Sequence, residues 1–313
     1  MKNILMILLL AGIMACSKDR LFSPESNNLL VAGPDVNFLP DIPSDLKKAS
    51  ETVMINSAAD VPFVTKNKNK IYLQPDDFNR LPDGKQVTYP FHLEVKELLT
   101  IKDIILNDKP TVSNGRLLST DGQILVRAYK NDVALSLNWD NNFFIEMKGM
   151  NNDLPDPEMK LFLDEESKDS TTNWQEDTTK NCVFYRQRYV CGKITTRDSV
   201  YFAIPSDLGW INIDAFVNYT NTTVVKLKSE ANLTNVSTFI FFPELNSVIN
   251  TWCLEKEFPI PLGVKIKVIS FAFSDDDVLY SYLEDFVASP NMEINIKLSK
   301  TTKEALLAEL EKL

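Results

Sequence analysis

The 313-residue sequence contains one histidine, His92. A single imidazole excludes metal sites built from histidine clusters, and any Ser-His-Asp or Cys-His nucleophile system would have to use that one residue. His92 alternates with Phe91 and Leu93, which places it on the polar face of a strand, solvated rather than catalytic. No nucleophile-elbow motif stands elsewhere in the chain to support it. Cysteine is scarce, at four residues, with no Cys-x-x-Cys pair that would point to zinc. There is no basic cluster, and the formal net charge is −10. Such a chain is a poor match to a polyphosphate backbone, so nucleic-acid binding is not expected. The apolar run from Ile4 to Met14 is too short to cross a bilayer, which takes roughly 20 residues.

That run has the flanks of a secretory signal, with Lys2 before it and small residues after it. Ile13-Met14-Ala15-Cys16 resembles the lipobox of bacterial lipoproteins. The resemblance implies that residues 1–15 are a signal peptide and that Cys16 becomes the lipid-bearing first residue of the mature chain. Its palmitate-type acyl chains are then the expected membrane contact. Ser17-Lys18-Asp19-Arg20 follows at once. This is similar to the short, acid-containing tether by which Bacteroidota mark surface lipoproteins. An outer-membrane location is expected, with the periplasmic and cell-surface faces both open.

Cys182, Cys191 and Cys253 remain in the mature chain, in a compartment where disulfides persist, and the odd count leaves at least one unpaired within it. Cys182 and Cys191 flank a β-rich run from Val183 to Val190, so a hairpin there would set them opposite each other as a possible disulfide.

From Ser17 to about Leu46 the chain is polar and punctuated by Pro24, Pro34, Pro40 and Pro43. Residues 16–50 therefore read as a lipidated, flexible tether. Beyond it the signal is β. Phe91, Leu93 and Val95 alternate with polar neighbours, as do Ile124, Val126 and Ala128, and Ile294, Ile296 and Leu298. Further β-branched and aromatic runs lie at Val133–Leu137, Phe143–Met147, Lys160–Leu163, Val200–Ile204, Val224–Lys228, Phe239–Phe242, Lys265–Phe273 and Val278–Tyr282. Many short strands with turn signals between them predict an all-β fold of two tandem antiparallel β-sandwich domains. A short C-terminal helix follows, with Thr301 and Glu304 as a capping box and Leu306, Leu307, Leu310 and Leu313 as one apolar stripe against the last sandwich. An acid-rich stretch from Asn151 to Lys180 marks a join. The expected division is a first sandwich over 51–166, an acidic insertion with the cysteine hairpin over 167–199, and a second sandwich with the helix over 200–313.

Several stretches of this chain resemble uncharacterised Bacteroidota cell-envelope lipoproteins. They are Ile71-Tyr72-Leu73-Gln74-Pro75 with Phe78 and Asp83-Gly84, Pro110-Thr111-Val112-Ser113-Asn114-Gly115-Arg116, Asp121-Gly122-Gln123, and Leu208-Gly209-Trp210-Ile211-Asn212-Ile213-Asp214. The first module of those proteins is similar to the β-sandwich of ankyrins and netrin receptors. Phe258-Pro259-Ile260-Pro261-Leu262-Gly263 resembles a carboxypeptidase-regulatory type of sandwich following it. The chain departs from the pattern at Lys130-Asn131-Asp132, where a glycine turn is usual. The resemblance implies architecture and envelope location and brings no catalytic residues and no cofactor.

The remaining candidates are acids, one tryptophan and three hydroxyls. Glycoside hydrolysis needs two carboxyls held roughly 5–10 Å apart across a cleft, and the acids here fall mostly in turns. Asp275, Asp276 and Asp277 lie between two strong strands, where a hairpin tip is the simpler reading and calcium the weaker one, because the glycine-spaced loop is missing. Trp174 stands among Thr171, Thr172, Asn173, Gln175, Glu176 and Asp177, which makes it a candidate for stacking on a sugar. Ser170, Thr178 and Ser199 follow aspartates in a pattern resembling the Bacteroidota O-glycosylation sequon. Two functions follow as expectations. The preferred one is a non-enzymatic envelope lipoprotein that presents sandwich surfaces to a glycan or protein partner, in an oligomeric state the sequence does not define. The alternative is a hydrolase of polysaccharide or peptide using a carboxylate pair or a bound metal.

Overall fold

The computed structural model describes residues 42–138, 143–150, 155–164, 172–178, 182–185, 188–191, 194–197, 199–229, 236–251, 257–274 and 278–313. In chain order the first half contributes β1 (Glu51–Ile55), β2 (Phe63–Val64), β3 (Lys70–Tyr72), β4 (Phe91–Leu98), α1 (Ile101–Leu106), β5 (Val112–Ser113), β6 (Arg116–Lys130), β7 (Val133–Ala134), β8 (Phe144–Met147) and β9 (Lys160–Asp164). Then come β10 (Trp174–Glu176), β11 (Cys182–Tyr185), β12 (Arg188–Cys191), β13 (Ile194–Arg197), β14 (Val200–Ala203) and β15 (Gly209–Phe216). One sheet runs β1-β4-β6-β15-β9-β10, with β5 and β7 paired to β6, and faces a second sheet ordered β13-β14-β8-β3-β2. The alternation in β4 works as expected: Phe91, Leu93 and Val95 enter the core between these sheets, and His92 is exposed.

The second sandwich is built from β16 (Thr222–Ser229), β17 (Val236–Phe242), β18 (Ser247–Thr251), β19 (Glu257–Pro261), β20 (Lys265–Phe273), β21 (Leu279–Val287), β22 (Met292–Ile296) and β23 (Ser299–Lys300). Its sheets are β19-β16-β22 and β18-β17-β20-β21-β23. All of its strand pairs are antiparallel except β16 with β22, which run parallel. Its core includes Val225, Leu227, Ile240, Phe258, Val268 and Ile294.

A third apolar layer joins the two sandwiches. Leu98, Leu118, Leu125, Phe162 and Trp210 of the first meet Phe239, Phe241, Val248, Ile269 and Phe271 of the second. This layer explains the sequence of β6. Ile124, Val126 and Ala128 face the first core while Leu118 and Leu125 face the joint, so the strand is buried on both sides and much of it reads as continuously apolar. Polar contacts cross the joint as well. Thr111 N–H donates to the Val248 carbonyl at 2.8 Å, and Thr120 N–H to that of Asn246 at 3.0 Å.

Four expectations are corrected by this arrangement. The division at residues 166 and 200 does not follow the sheets: β10 pairs with β9, β14 with β8, and β15 with both β6 and β9. Strands from the expected insertion and the expected second domain therefore complete the first sandwich, which extends to Phe216, because acidic composition marks solvated connections rather than module ends. The flexible tether stops short of residue 50, since Ile42 and Leu46 are buried in the joint and Lys48 bonds Asp103 at 3.0 Å. The C-terminal helix α2 (Lys303–Leu310) is capped by Thr302, whose side chain accepts from Ala305 N–H. Its Leu306 and Leu310 pack into the joint layer, against α1 among others, and not on the last sandwich alone. α1 itself is an element the periodicity did not indicate, because Ile101, Ile104, Ile105 and Leu106 are all buried and leave no polar stripe to read.

The departure at Lys130-Asn131-Asp132 has a local explanation. Tyr129 pairs with Ala134 and Lys130 with Val133, so Asn131 and Asp132 form a two-residue turn with φ of 50° and 63°. Asn and Asp tolerate the left-handed region better than other non-glycine residues, and this turn type needs it twice. Gly122 is a stricter requirement. Its φ is 122°, and a Cβ there would meet Met147 Cε at 2.5 Å. It sits where the β6/β15 register shifts between Asn212 and Asp214.

Candidate functional site

The outer face of the β13-β14-β8-β3-β2 sheet carries three partly exposed aromatic rings in a row, on neighbouring strands. Tyr72 on β3 stacks on Phe144 of β8 with centroids 3.9 Å apart, and Phe144 on Phe202 of β14 at 4.6 Å. The strands place them there by simple alternation. Ile71, Ile145, Tyr201 and Ala203, their sequence neighbours, turn inward to the core. Ion pairing frames the row: Lys70 lies opposite Glu146 and bonds it at 2.7 Å, while the Tyr72 hydroxyl donates to Glu146 at 3.0 Å. The Glu146 carboxylate holds the Lys70 ammonium above its ordinary pKa.

Ring orientation decides what such a surface can bind. Interplanar angles of 19° and 28° mean the rings stand with their faces turned to one another, and side chains project roughly perpendicular to a sheet. The facing sides of the three rings are therefore turned to one another. Each stacked pair contributes about 0.5–1.5 kcal/mol beyond its area burial. What remains is a partly exposed apolar strip flanked by Lys70 and Glu146.

The residues singled out in the sequence fare differently. Trp174 is 0 % exposed, packed in the joint layer with its indole N–H donating to the Pro110 carbonyl at 2.8 Å. It cannot stack on a sugar, because polar sequence neighbours do not stop a β-strand from turning the ring between them inward. Cys182 and Cys191 are register partners in the β11/β12 hairpin. Peptide mapping of the protein without reductant is expected to give a Cys182–Cys191 linked pair, and detection of either as a free thiol would count against it. Thr178 is exposed, beside an Asp177 that is buried and accepts from Ser206 N–H at 2.8 Å. Ser199 is exposed in a turn with φ of 67°. Cys16, Ser170, Asp275, Asp276 and Asp277 lie outside the described residues.

The carboxyl groups best placed for chemistry are buried or half-buried. Glu97 is 7 % exposed and accepts from Thr65 Oγ1 at 2.8 Å and from Asn67 and Asn69 Nδ2, each at 2.6 Å. Asp164 is held by Lys109 at 2.6 Å, and Lys109 Nζ also lies 4.9 Å from the centre of the Trp210 ring. Asp121 accepts from the Tyr201 hydroxyl at 2.5 Å and Met150 N–H at 2.8 Å, which turns it toward the first core. Asp214 lies fully buried on the other side of that sheet, where desolvation pushes its carboxyl well above the usual range. Desolvation also pushes Asp108 up to about 6, with Asn250 Nδ2 donating to it at 2.9 Å. Among the described residues no group of three or more His, Cys, Asp and Glu side chains is placed to hold a metal ion.

No periodicity in the sequence announces the aromatic row, because each ring belongs to a different short strand. The available signal was local: an aromatic on the outward phase beside inward aliphatics, as in Ile71-Tyr72-Leu73. The sheets define the class, an all-β protein of two joined sandwiches. No protein-family model matches the chain, and no curated protein matches it in sequence.

Proposed function

We propose that this chain is a non-enzymatic envelope lipoprotein, anchored through lipid on Cys16, whose first sandwich presents the Tyr72–Phe144–Phe202 ridge to a protein partner. The ridge is the observation that carries the reading. Aromatic side chains are enriched at protein interfaces, and stacking takes up four of the six faces of these rings, so a protein suits this surface better than a glycan. The anchor and the outer-membrane location rest on the lipobox and on the resemblance to Bacteroidota envelope lipoproteins. A hydrolase draws less support, because Asp121 and Asp214 turn to opposite sides of one sheet and Glu97 has its oxygens occupied by three donors.

Photocrosslinking in intact cells tests the ridge. A photoreactive side chain at position 202 is expected to give one discrete protein adduct, and the same label at exposed Ser299 none. Equal labelling from both positions, or glycan-array binding that Phe144→Ala and Phe202→Ala abolish, would replace the protein partner. Cys16→Ser is expected to release the chain from the membrane fraction. Retention of that variant would overturn the anchor.

A further inference from the structure

We propose that Asp214 is held as a neutral carboxylic acid whose proton is donated to the side-chain oxygen of Gln123, so that one bound proton completes the polar pairing on the face of the first sandwich that the second one covers. Gln123 Oε1 and Asp214 Oδ1 are both buried without a hydrogen-bond partner. A buried acceptor without a donor is costly. Across the β6/β15 pair, Gln123 lies opposite Asn212 and Thr120 opposite Asp214, with the register bulge between them. Gln123 and Asp214 are thus diagonal neighbours on one face, a separation that long side chains bridge. That face is the one that Leu125 and Trp210 share with Phe241 and Val248 of the second sandwich.

The other atoms of the cluster already have roles. Gln123 Nε2 donates to the Lys109 carbonyl at 3.0 Å, Asn212 Nδ2 to Asp214 Oδ2 at 2.6 Å, and Thr120 Oγ1 to Asn212 Oδ1 at 3.2 Å. A calcium ion would need about 6–8 oxygen ligands, whereas only two are open here. A proton on Asp214 Oδ1 turns that oxygen from acceptor to donor and satisfies both at once.

Burial raises the Asp214 pKa and Asp121 adds to the effect, while the polar side chains of Thr120 and Asn212 beside it oppose it. Other charged groups around the joint include Lys109, paired to Asp164 on β9, Asp108, which meets Asn250 on β18, and the pairs Lys48–Asp103, Lys102–Glu311 and Lys303–Asp45 near α1 and α2. Because the folded state keeps a proton that the unfolded chain releases near pH ~3.9, the stabilisation is complete below that pH. It is lost as the pH rises through the folded-state value.

Two measurements on the intact protein test this. Infrared difference spectra at neutral pH should show a protonated carboxyl band in the wild type that Asp214→Asn removes, and that Gln123→Leu shifts as its hydrogen bond is lost. Asp214 should make stability fall from acidic to neutral pH, against the opposite trend from Asp45, Asp83 and Glu304, whose carboxyls are held below their ordinary values. In Asp214→Asn, whose amide donates to Gln123 at every pH, that slope should shrink by up to one proton. Asp108→Asn should remove only the part of the slope ending near pH 6. A spectrum with no protonated carboxyl band, or a band unmoved by Gln123→Leu, would overturn the proposal even if Asp214→Asn failed to fold. An Asp214→Asn variant with the wild-type slope would overturn it too.

Discussion

Replacing Trp174 by alanine is expected to lower the unfolding free energy by about 3–5 kcal/mol, the range for deleting a fully buried aromatic ring. The ring is 0 % exposed within the layer that joins the sandwiches. Its loss would empty a space bounded by both of them, and it would leave the Pro110 carbonyl without the indole donor now 2.8 Å away. Trp174→Phe separates the two effects. It fills most of the volume but leaves that carbonyl unpaired, for a cost of about 1–3 kcal/mol. Denaturant unfolding of the two variants checks both figures. A change within about 0.5 kcal/mol for the alanine variant, as for an ordinary surface position, would mean that the ring stands in solvent after all.

Replacing Glu97 by alanine is expected to cost about 3 kcal/mol or more, because it strands donors that were bonded to a carboxylate. Three are affected: Thr65 Oγ1, Asn67 Nδ2 and Asn69 Nδ2. Thr65 and Asn69 also close the turn between β2 and β3, with Thr65 N–H donating to the Asn69 carbonyl at 2.9 Å and Asn69 Oδ1 accepting from Lys148 N–H at 2.9 Å. Glu97 stands on β4 in the other sheet, so its carboxylate ties the two sheets together at one corner. Glu97→Gln should recover part of the loss, since one acceptor oxygen remains while the new amide nitrogen opposes the donors. The variant also bears on the proposed partner surface. Tyr72 sits on β3, next to this turn, so loosening the corner should weaken crosslinking from the aromatic ridge in step with the loss of stability.

The two variants show where reading the sequence succeeds and where it stops. Trp174 sits among Asn173, Gln175 and Glu176, and that polar context points to solvent. In the fold, Trp174 pairs with Asp164 of β9, and the far side of the sheet is covered by the second sandwich. Covering by a distant segment has no local signature. Glu97 continues the inward phase of Phe91, Leu93 and Val95 in β4, so alternation turns it from solvent, but nothing near it in the sequence indicates the three donors that reach it from the β2–β3 turn. The acid-rich stretch after Asn151 likewise reflects solvated connections, while the strands within it complete the first sandwich.

What the sequence determines by itself is the set of short-range regularities. Alternation at Phe91, Leu93 and Val95 places His92 in solvent, the run from Lys265 to Phe273 coincides with β20, and the leucine stripe near the C-terminus makes α2. These follow from the period of two in a strand and 3.6 in a helix, which neighbouring residues encode together. The tertiary structure alone decides which strands lie side by side, and so brings Tyr72, Phe144 and Phe202 into one row, buries Trp174, and sets Asp214 beside Gln123. Strand order is chosen by how whole faces are covered, and that contribution to the free energy comes from residues far apart in the chain.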